Sequence, residues 1–313
     1  MFQTFPLMKY LHTYIKGFCM GIADLIPGVS GGTIAFLFGI YGELLDSIKS
    51  FDLAFFSRLL RLRFKEAFEN TGWKFLAALL CGIMTSIFTL SHTMKWLLEE
   101  HPVQVHGFFF GLIVATVWAI GKKIQHKDFA KIGLGLASAW MMFVLVGMIP
   151  IQTPETWWFL MISGVVAICA MILPGISGAF ILLLLGKYDY VIQAVSARDI
   201  PVLFIFAVGC GVGLLSFVHI LSWLLKKYYD LTLTVLTGLV LGSLRKIWPW
   251  KETVETIMTS HGKIIPVEQM NVLPKHFDAG FWITIALVIA GFFISLMIAR
   301  FDDQKDSLSK PSH

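Results

Sequence analysis

The sequence predicts an all-α polytopic membrane protein made of two inverted repeats, each a re-entrant helical hairpin followed by three transmembrane helices. Long stretches free of Asp, Glu, Lys and Arg recur along the chain, and a Pro-Gly-Val/Ile-Ser-Gly motif occurs twice. The second copy lies within a 31-residue uncharged run, Thr156 to Gly186, whose length suits neither one crossing nor two. Of 313 residues, 57% are hydrophobic and 14% charged, with a mean hydropathy of +0.75. Soluble domains average about 45–50% apolar and about 25% charged, so a soluble globular enzyme is excluded.

The first half, residues 1–150, opens with a hairpin over 10–48 whose turn is Pro27-Gly28. Proline clashes with the preceding helical turn and glycine permits a sharp change of direction. Spans follow at about 73–94, 102–121 and 131–150, each near the roughly 20 apolar residues that cross a hydrocarbon core. Lys49, Arg58, Arg61, Arg63, Lys65 and Lys74 fill the loop before the first span, and Lys122, Lys123, Lys127 and Lys131 the loop after the second. The intervening turn has only Lys95 against Glu99 and Glu100, so the basic loops are expected on the cytoplasmic side. Phe55, Phe56, Leu59, Leu60 and Phe64 alternate with these arginines in the manner of an amphipathic helix lying on anionic lipid.

The second half, residues 151–313, repeats the order, with a hairpin over 156–195 turning at Pro174-Gly175 and spans at about 201–225, 231–248 and 280–300. As one straight helix, Thr156 to Gly186 would extend about 46 Å, beyond a hydrocarbon thickness of about 30 Å. A hairpin that dips in and returns fits better. Ile26-Pro27-Gly28-Val29-Ser30-Gly31-Gly32 recurs as Leu173-Pro174-Gly175-Ile176-Ser177-Gly178-Ala179, and Gly39-Ile40-Tyr41 as Gly186-Lys187-Tyr188. His92 with Trp96-Leu97-Leu98 recurs as His219 with Trp223-Leu224-Leu225, and Gly111-Leu112 as Gly238-Leu239. With hairpins the halves enter from opposite faces, an arrangement typical of alternating-access carriers with a midplane site. The segment from Pro249 to Ala279 is polar and reads as an extramembrane loop.

Ser30-Gly31-Gly32-Thr33 and Ser177-Gly178 each open a helix, and exposed N–H groups at a helix start suit a phosphate or another anion. Asp24 is the only acidic or basic residue between Gly17 and Gly42, and an intramembrane carboxylate costs about 2.5–3.5 kcal/mol on insertion scales, which makes it a candidate proton carrier, with capping of the next helix or bonding to nearby hydroxyls as the alternative. Met171 stands at its place in the second copy. Glu43, after the first hairpin, is a second proton candidate. Arg245 follows the uncharged run Leu231 to Leu244 and offers a planar donor fork to a phosphate.

Cys19, Cys81, Cys169 and Cys210 lie in apolar segments without CxxC spacing, so neither a disulfide scaffold nor zinc is expected. No metal or organic cofactor is indicated. The formal net charge of +5 resides in short loops, which fits membrane topology rather than nucleic acid. The N-terminus lacks a small-residue cleavage site after its apolar stretch, so the first hydrophobic segment is expected to stay in the protein. Gly28-Val29-Ser30-Gly31 and Gly175-Ile176-Ser177-Gly178 also fit the short GxSG pattern of intramembrane serine proteases, for which His92 or His219 would have to supply a base.

The paired motifs, the longer string Ala23-Asp24-Leu25-Ile26-Pro27-Gly28-Val29-Ser30-Gly31-Gly32-Thr33, and Gly238-Leu239-Val240-Leu241-Gly242-Ser243-Leu244-Arg245 together resemble the bacterial polyprenyl-phosphate transporter family over about residues 10–300. The resemblance implies a carrier, not an enzyme, that returns undecaprenyl phosphate from the outer to the inner leaflet of the plasma membrane, among its phospholipids. On that reading Ser30, Gly31, Gly32, Thr33, Ser177 and Gly178 would cradle the phosphate, Arg245 would supply countercharge, and Asp24 or Glu43 would exchange a proton. A carrier of a small soluble anion is the alternative, with the serine protease behind it. Nothing in the sequence sets an oligomeric state.

Overall fold

The computed structural model describes residues 6–309 except 70, 127, 152 and 259–263, so the outermost ends of the two expected halves lie outside the described residues. The first half comprises α1 (Pro6–Asp24), α2 (Gly31–Leu37), α3 (Tyr41–Lys49), α4 (Leu53–Leu60), α5 (Phe64–Glu69), α6 (Trp73–Glu100), α7 (Pro102–Lys123) and α8 (Phe129–Leu145). The second comprises α9 (Trp157–Ile172), α10 (Gly178–Leu184), α11 (Tyr188–Ala197), α12 (Ile200–Lys227), α13 (Tyr229–Ile247), β1 (Lys251–Met258), β2 (Ile264–Asn271) and α14 (Ala279–Ser309).

Local chemistry sets the boundaries. Asp52, Asp128 and Asp199 accept the N–H groups of Phe55, Lys131 and Val202, capping α4, α8 and α12. Pro102 and Pro201 occupy the first turns of α7 and α12, where the missing N–H has no helical partner to lose. Among the described residues, four helical stretches are long and apolar enough to cross a membrane: Trp73–Glu100, Pro102–Lys123, Ile200–Lys227 and Ala279–Arg300. Phe88, Trp140, Phe204 and Phe293 project from the bundle, as expected where the surroundings are hydrocarbon. This is a multi-pass membrane protein.

Three expectations change. The span at 131–150 is helical only to Leu145, and α13, expected as the span 231–248, falls short of the hydropathy of a lipid-facing helix. Its Thr232, Thr234, Gly238, Gly242 and Ser243 are buried because α13 packs against α7, α8 and α12 rather than lipid. Each expected hairpin also has a second break. Gly39 (φ 66°) separates α2 from α3, and Gly186 (φ 63°) separates α10 from α11, which are bent by 106° to one another. Finally, the polar loop after α13 contains an antiparallel β1–β2 ribbon pairing Lys251 with Asn271, an exception to the all-α reading. Thr253, Val254, Thr256 and Ile257 in the first strand and Ile264, Ile265 and Val267 in the second supply the β-branched composition that strands favour.

Glycine contacts hold the long helices together. α1 packs on α6 and α9 on α12, while α7 pairs with α14 and α13 with α8, so the two halves of the sequence interlock. A β-carbon at Gly82 would overlap the Tyr14 carbonyl, one at Gly209 that of Met161, one at Gly111 that of Val288, and one at Gly242 that of Ala139. Small residues let helix backbones approach closely where lipid supplies no hydrophobic drive for association. Across the α7–α14 seam, Thr116 and Ser295 share a buried hydrogen bond of 3.2 Å.

Gly111→Ala is therefore expected to lower the thermal unfolding midpoint of the detergent-solubilised protein, by the equivalent of about 1–3 kcal/mol for overpacking. Gly211→Ala, at a position with open space around it, is expected to be neutral or slightly stabilising. Equal midpoints for the two variants would remove the seam from the account.

Candidate functional site

The two Pro-Gly turns meet inside the bundle. α1 ends at Asp24, Gly28 takes φ +92° and Ser30 the extended φ −123° before α2; α9 ends at Ile172, Gly175 takes φ +90° and Ser177 φ −100° before α10. Only glycine tolerates these positive φ values at little steric cost. The Gly175 N–H donates to Thr33 Oγ1 at 2.8 Å, and the Tyr41 hydroxyl donates to the Ile172 carbonyl at 3.1 Å. Thr33 is 0% exposed. Gly32 closes the contact: a β-carbon there would lie 3.1 Å from the Ile172 carbonyl oxygen.

The first turn is internally satisfied. Asp24 Oδ1 accepts the Gly31 N–H at 2.7 Å, Ser30 Oγ accepts the Gly32 N–H at 3.2 Å, and the Thr33 N–H reaches the Ser30 carbonyl at 2.9 Å. Asp24 thus occupies the start of α2 as an anion would. The second turn is built otherwise. Met171 replaces Asp24, Ser177 makes no capping bond, and Gly178 is buried against the Ala167 carbonyl.

Other sequence candidates lie elsewhere. Glu43 pairs with Lys9 at 3.0 Å in an exposed ion pair and is not brought to the turns. Arg245 turns away from them, donating Nη1 to the Phe143 carbonyl at 2.9 Å with its guanidinium 4.4 Å from the Phe143 ring centre. The reason is helical phase. Val240 and Ser243 of α13 lie against Gly175, and Lys246, one turn beyond Ser243, lies against Gly28. Lys246 Cγ would lie 2.7 Å from a β-carbon on Gly28, and its Nζ is 4.8 Å from the Phe180 ring centre. Lys246, the neighbour of the expected Arg245, is the cationic side chain of α13 that lies against the first turn. His92 and His219 are exposed, and among the described residues no histidine is bonded to Ser30 or Ser177, so no serine–base pair is assembled.

Two cavities flank the turns at opposite ends of α13. One, of about 330 Å³, is bordered by Tyr41, Asp46, Lys123, Ser222, Lys226 and Leu233. There Asp46 accepts from Lys226 Nζ at 3.1 Å and from Ser222 Oγ at 3.2 Å, tying α3 to α12. The other, of about 300 Å³, lies between the end of α8, the end of α13 and β2, and holds Arg245, Lys246 and Lys251. Lys251 is held down to about 8 by burial and, second, by the Lys246 charge.

Residues 20–265 match the model of a family described as undecaprenyl phosphate translocase-like. The chain is 47% identical over 271 residues, 87% of its length and 88% of the relative's, to a polyprenyl-phosphate transporter of Vibrio cholerae serotype O1. It is 29% identical over 307 residues, 91% of its length and 95% of the relative's, to a polyprenyl-phosphate transporter of Staphylococcus aureus. No solved structure matches.

Removing the hydroxyl between the turns tests their union. Thr33→Val strands the buried Gly175 N–H and is expected to destabilise the protein by about 1–3 kcal/mol, while Thr33→Ser retains most of the stability. Thermal unfolding in detergent measures both. A Val variant as stable as wild type would show that the contact carries no energy.

Proposed function

The chain belongs to the undecaprenyl phosphate translocase-like family, and from that membership we propose that it is a flippase moving undecaprenyl phosphate from the outer to the inner leaflet of the bacterial plasma membrane. The observation that carries the mechanism is the direct contact of the two turns between two oppositely placed cavities. The halves 1–150 and 151–313 act as inverted repeats, each re-entrant at its turn; because α7–α14 and α8–α13 interlock them, it is the α1–α6 and α9–α12 pairs that rock about the turns to open first one cavity and then the other.

Only the head needs shelter. An isoprenoid tail is as apolar as the acyl chains, whereas a charge near the bilayer centre costs from about 2.5 to more than 10 kcal/mol. Ser30, Gly31, Gly32, Thr33, Ser177 and Gly178 line the passage the phosphate takes, with Lys246 and Arg245 as countercharges. Asp24 and the phosphate compete for the Gly31 N–H. Protonating Asp24 weakens its grip on that donor and frees the start of α2 for the phosphate, so a proton enters with each head. The Lys9–Glu43 pair is remote from this exchange, which favours Asp24 over Glu43 as the proton carrier.

The test is transport in phosphatidylcholine vesicles holding the purified full chain. A phosphate-specific probe outside should lose access to undecaprenyl phosphate added to the outer leaflet faster than in protein-free vesicles. Movement of inorganic phosphate with no redistribution of the lipid would instead favour a carrier of small anions. Asp24→Asn keeps an oxygen for the Gly31 N–H but holds no titratable proton. Its transport is expected to stop responding to an imposed pH gradient, and a response like that of wild type would exclude Asp24 as the coupling group.

A further inference from the structure

Electrostatics distinguishes the two cavities. Around the first, Lys226 is matched by Asp46 at 3.1 Å. Around the second, Arg245, Lys246 and Lys251 converge, with no acidic residue among the described residues of the lining. α8 contributes apolar Phe143, Val146 and Met148, β2 contributes neutral Gln269 and Asn271, and His106 of α7 is within electrostatic reach of both lysines. Three like charges around one cavity repel one another unless an anion enters.

The ribbon belongs to this cavity. Lys251 Nζ donates to the Lys246 carbonyl, Asn271 Nδ2 to the Arg245 carbonyl at 2.8 Å, and Trp248 Nε1 to the Val272 carbonyl at 2.9 Å, so β1 and β2 are fastened to the last turn of α13. The corresponding place on the other seam is built differently, with Lys122 Nζ drawn over the Trp118 ring at 3.6 Å. Trp118, seven residues after Gly111, stacks on Phe292 with ring centres 6.5 Å apart, as Arg245, seven residues after Gly238, lies over Phe143. Ala119 stands where Lys246 does.

Resting on the flippase reading above, we propose that this cavity is the capture site for the phosphate monoester head of a prenyl lipid arriving from the outer leaflet, with Lys251 and Lys246 as its direct ligands and the β-ribbon as its wall. Its side follows from α13. Asp230, at the start of that helix, accepts the backbone N–H groups of Gln125 and His126 in a basic loop, the cytoplasmic kind. Lys246 is 16 residues further on, about 24 Å along the axis and at the opposite end. The Lys246 side chain, resting on Gly28, then hands the head inward to the turns.

The full chain is reconstituted into phosphatidylcholine vesicles with the ribbon outward, and transport of a short-chain prenyl monophosphate added outside is followed against its concentration. Lys246→Ala with Lys251→Ala is expected to raise the half-saturating concentration about tenfold or more, the loss of two charge-assisted hydrogen bonds, with little change in maximal rate. Lys95→Ala, an exposed charge paired with Glu99, should leave it unchanged. Wild-type capture should weaken as pH rises through about 8, where Lys251 loses its charge, and Lys251→Arg should abolish that alkaline weakening. If wild type moves inorganic phosphate but no prenyl phosphate, the flippase reading fails and this one with it. If wild type moves the lipid and the double variant keeps the wild-type half-saturation, this proposal alone is overturned, whatever the maximal rate.

Discussion

Backbone that leaves helical geometry within a membrane must find its hydrogen bonds in protein, because lipid offers none. The rest of this structure depends on how that requirement is met. Each Pro-Gly turn breaks a helix and strands polar groups. The first recovers them within itself, through Asp24 and Ser30, whereas the second takes its partners from the first half: Thr33 accepts the Gly175 N–H and Tyr41 donates to the Ile172 carbonyl. Without those partners the second turn would leave buried groups unpaired, at about 1–3 kcal/mol for each. Buried Ile26, Val29, Ile172 and Ile176 surround these hydrogen bonds with apolar packing.

The long helices supply the opposite property. Their seams are closed chiefly by glycine against backbone, so α1–α6, α9–α12, α7–α14 and α8–α13 are suited to move as stiff units. Flexibility is left to the short pieces α2, α3, α10 and α11, with a glycine of positive φ before and after α2 and α10. Within that frame Asp24 plays two parts. It caps α2 as any N-terminal carboxylate does, and it occupies the ground that an incoming anion would take.

Much of this was legible in the sequence. The repeated Pro-Gly-Val/Ile-Ser-Gly string located both turns, because proline and glycine act locally and their effect does not depend on what packs around them. The lengths of α6, α7, α12 and the apolar part of α14 followed from uncharged runs for the same reason. What escaped was set by tertiary context. Gly39 and Gly186 each recur with a Tyr two residues later, yet only packing decides that those glycines end a helix. α13 was legible as a helix over about 231–248, but its Thr, Ser and Gly face protein, a burial that no hydropathy rule supplies. Charge type singled out Arg245, whereas tertiary packing puts Lys246 against Gly28 and Arg245 over Phe143. The ribbon hid in a segment with no apolar periodicity.

An asymmetry between the two cavities bears on direction only in a limited way. Stronger capture by Lys246 and Lys251 at one face lowers the lipid concentration needed to load the carrier there, but it lowers equally the rate at which a head returning to that face departs. A binding site changes how fast equilibrium is approached, not where it lies. Net inward movement therefore needs a free-energy source outside the site: consumption of the lipid at the inner face, or a proton moving down its gradient. Asp24 is placed to admit the second, since a carboxylate that must surrender the Gly31 N–H before phosphate can take it links the two events at a single donor. The cationic cavity then sets the kinetics of loading, and the competition at Gly31 sets what drives the cycle.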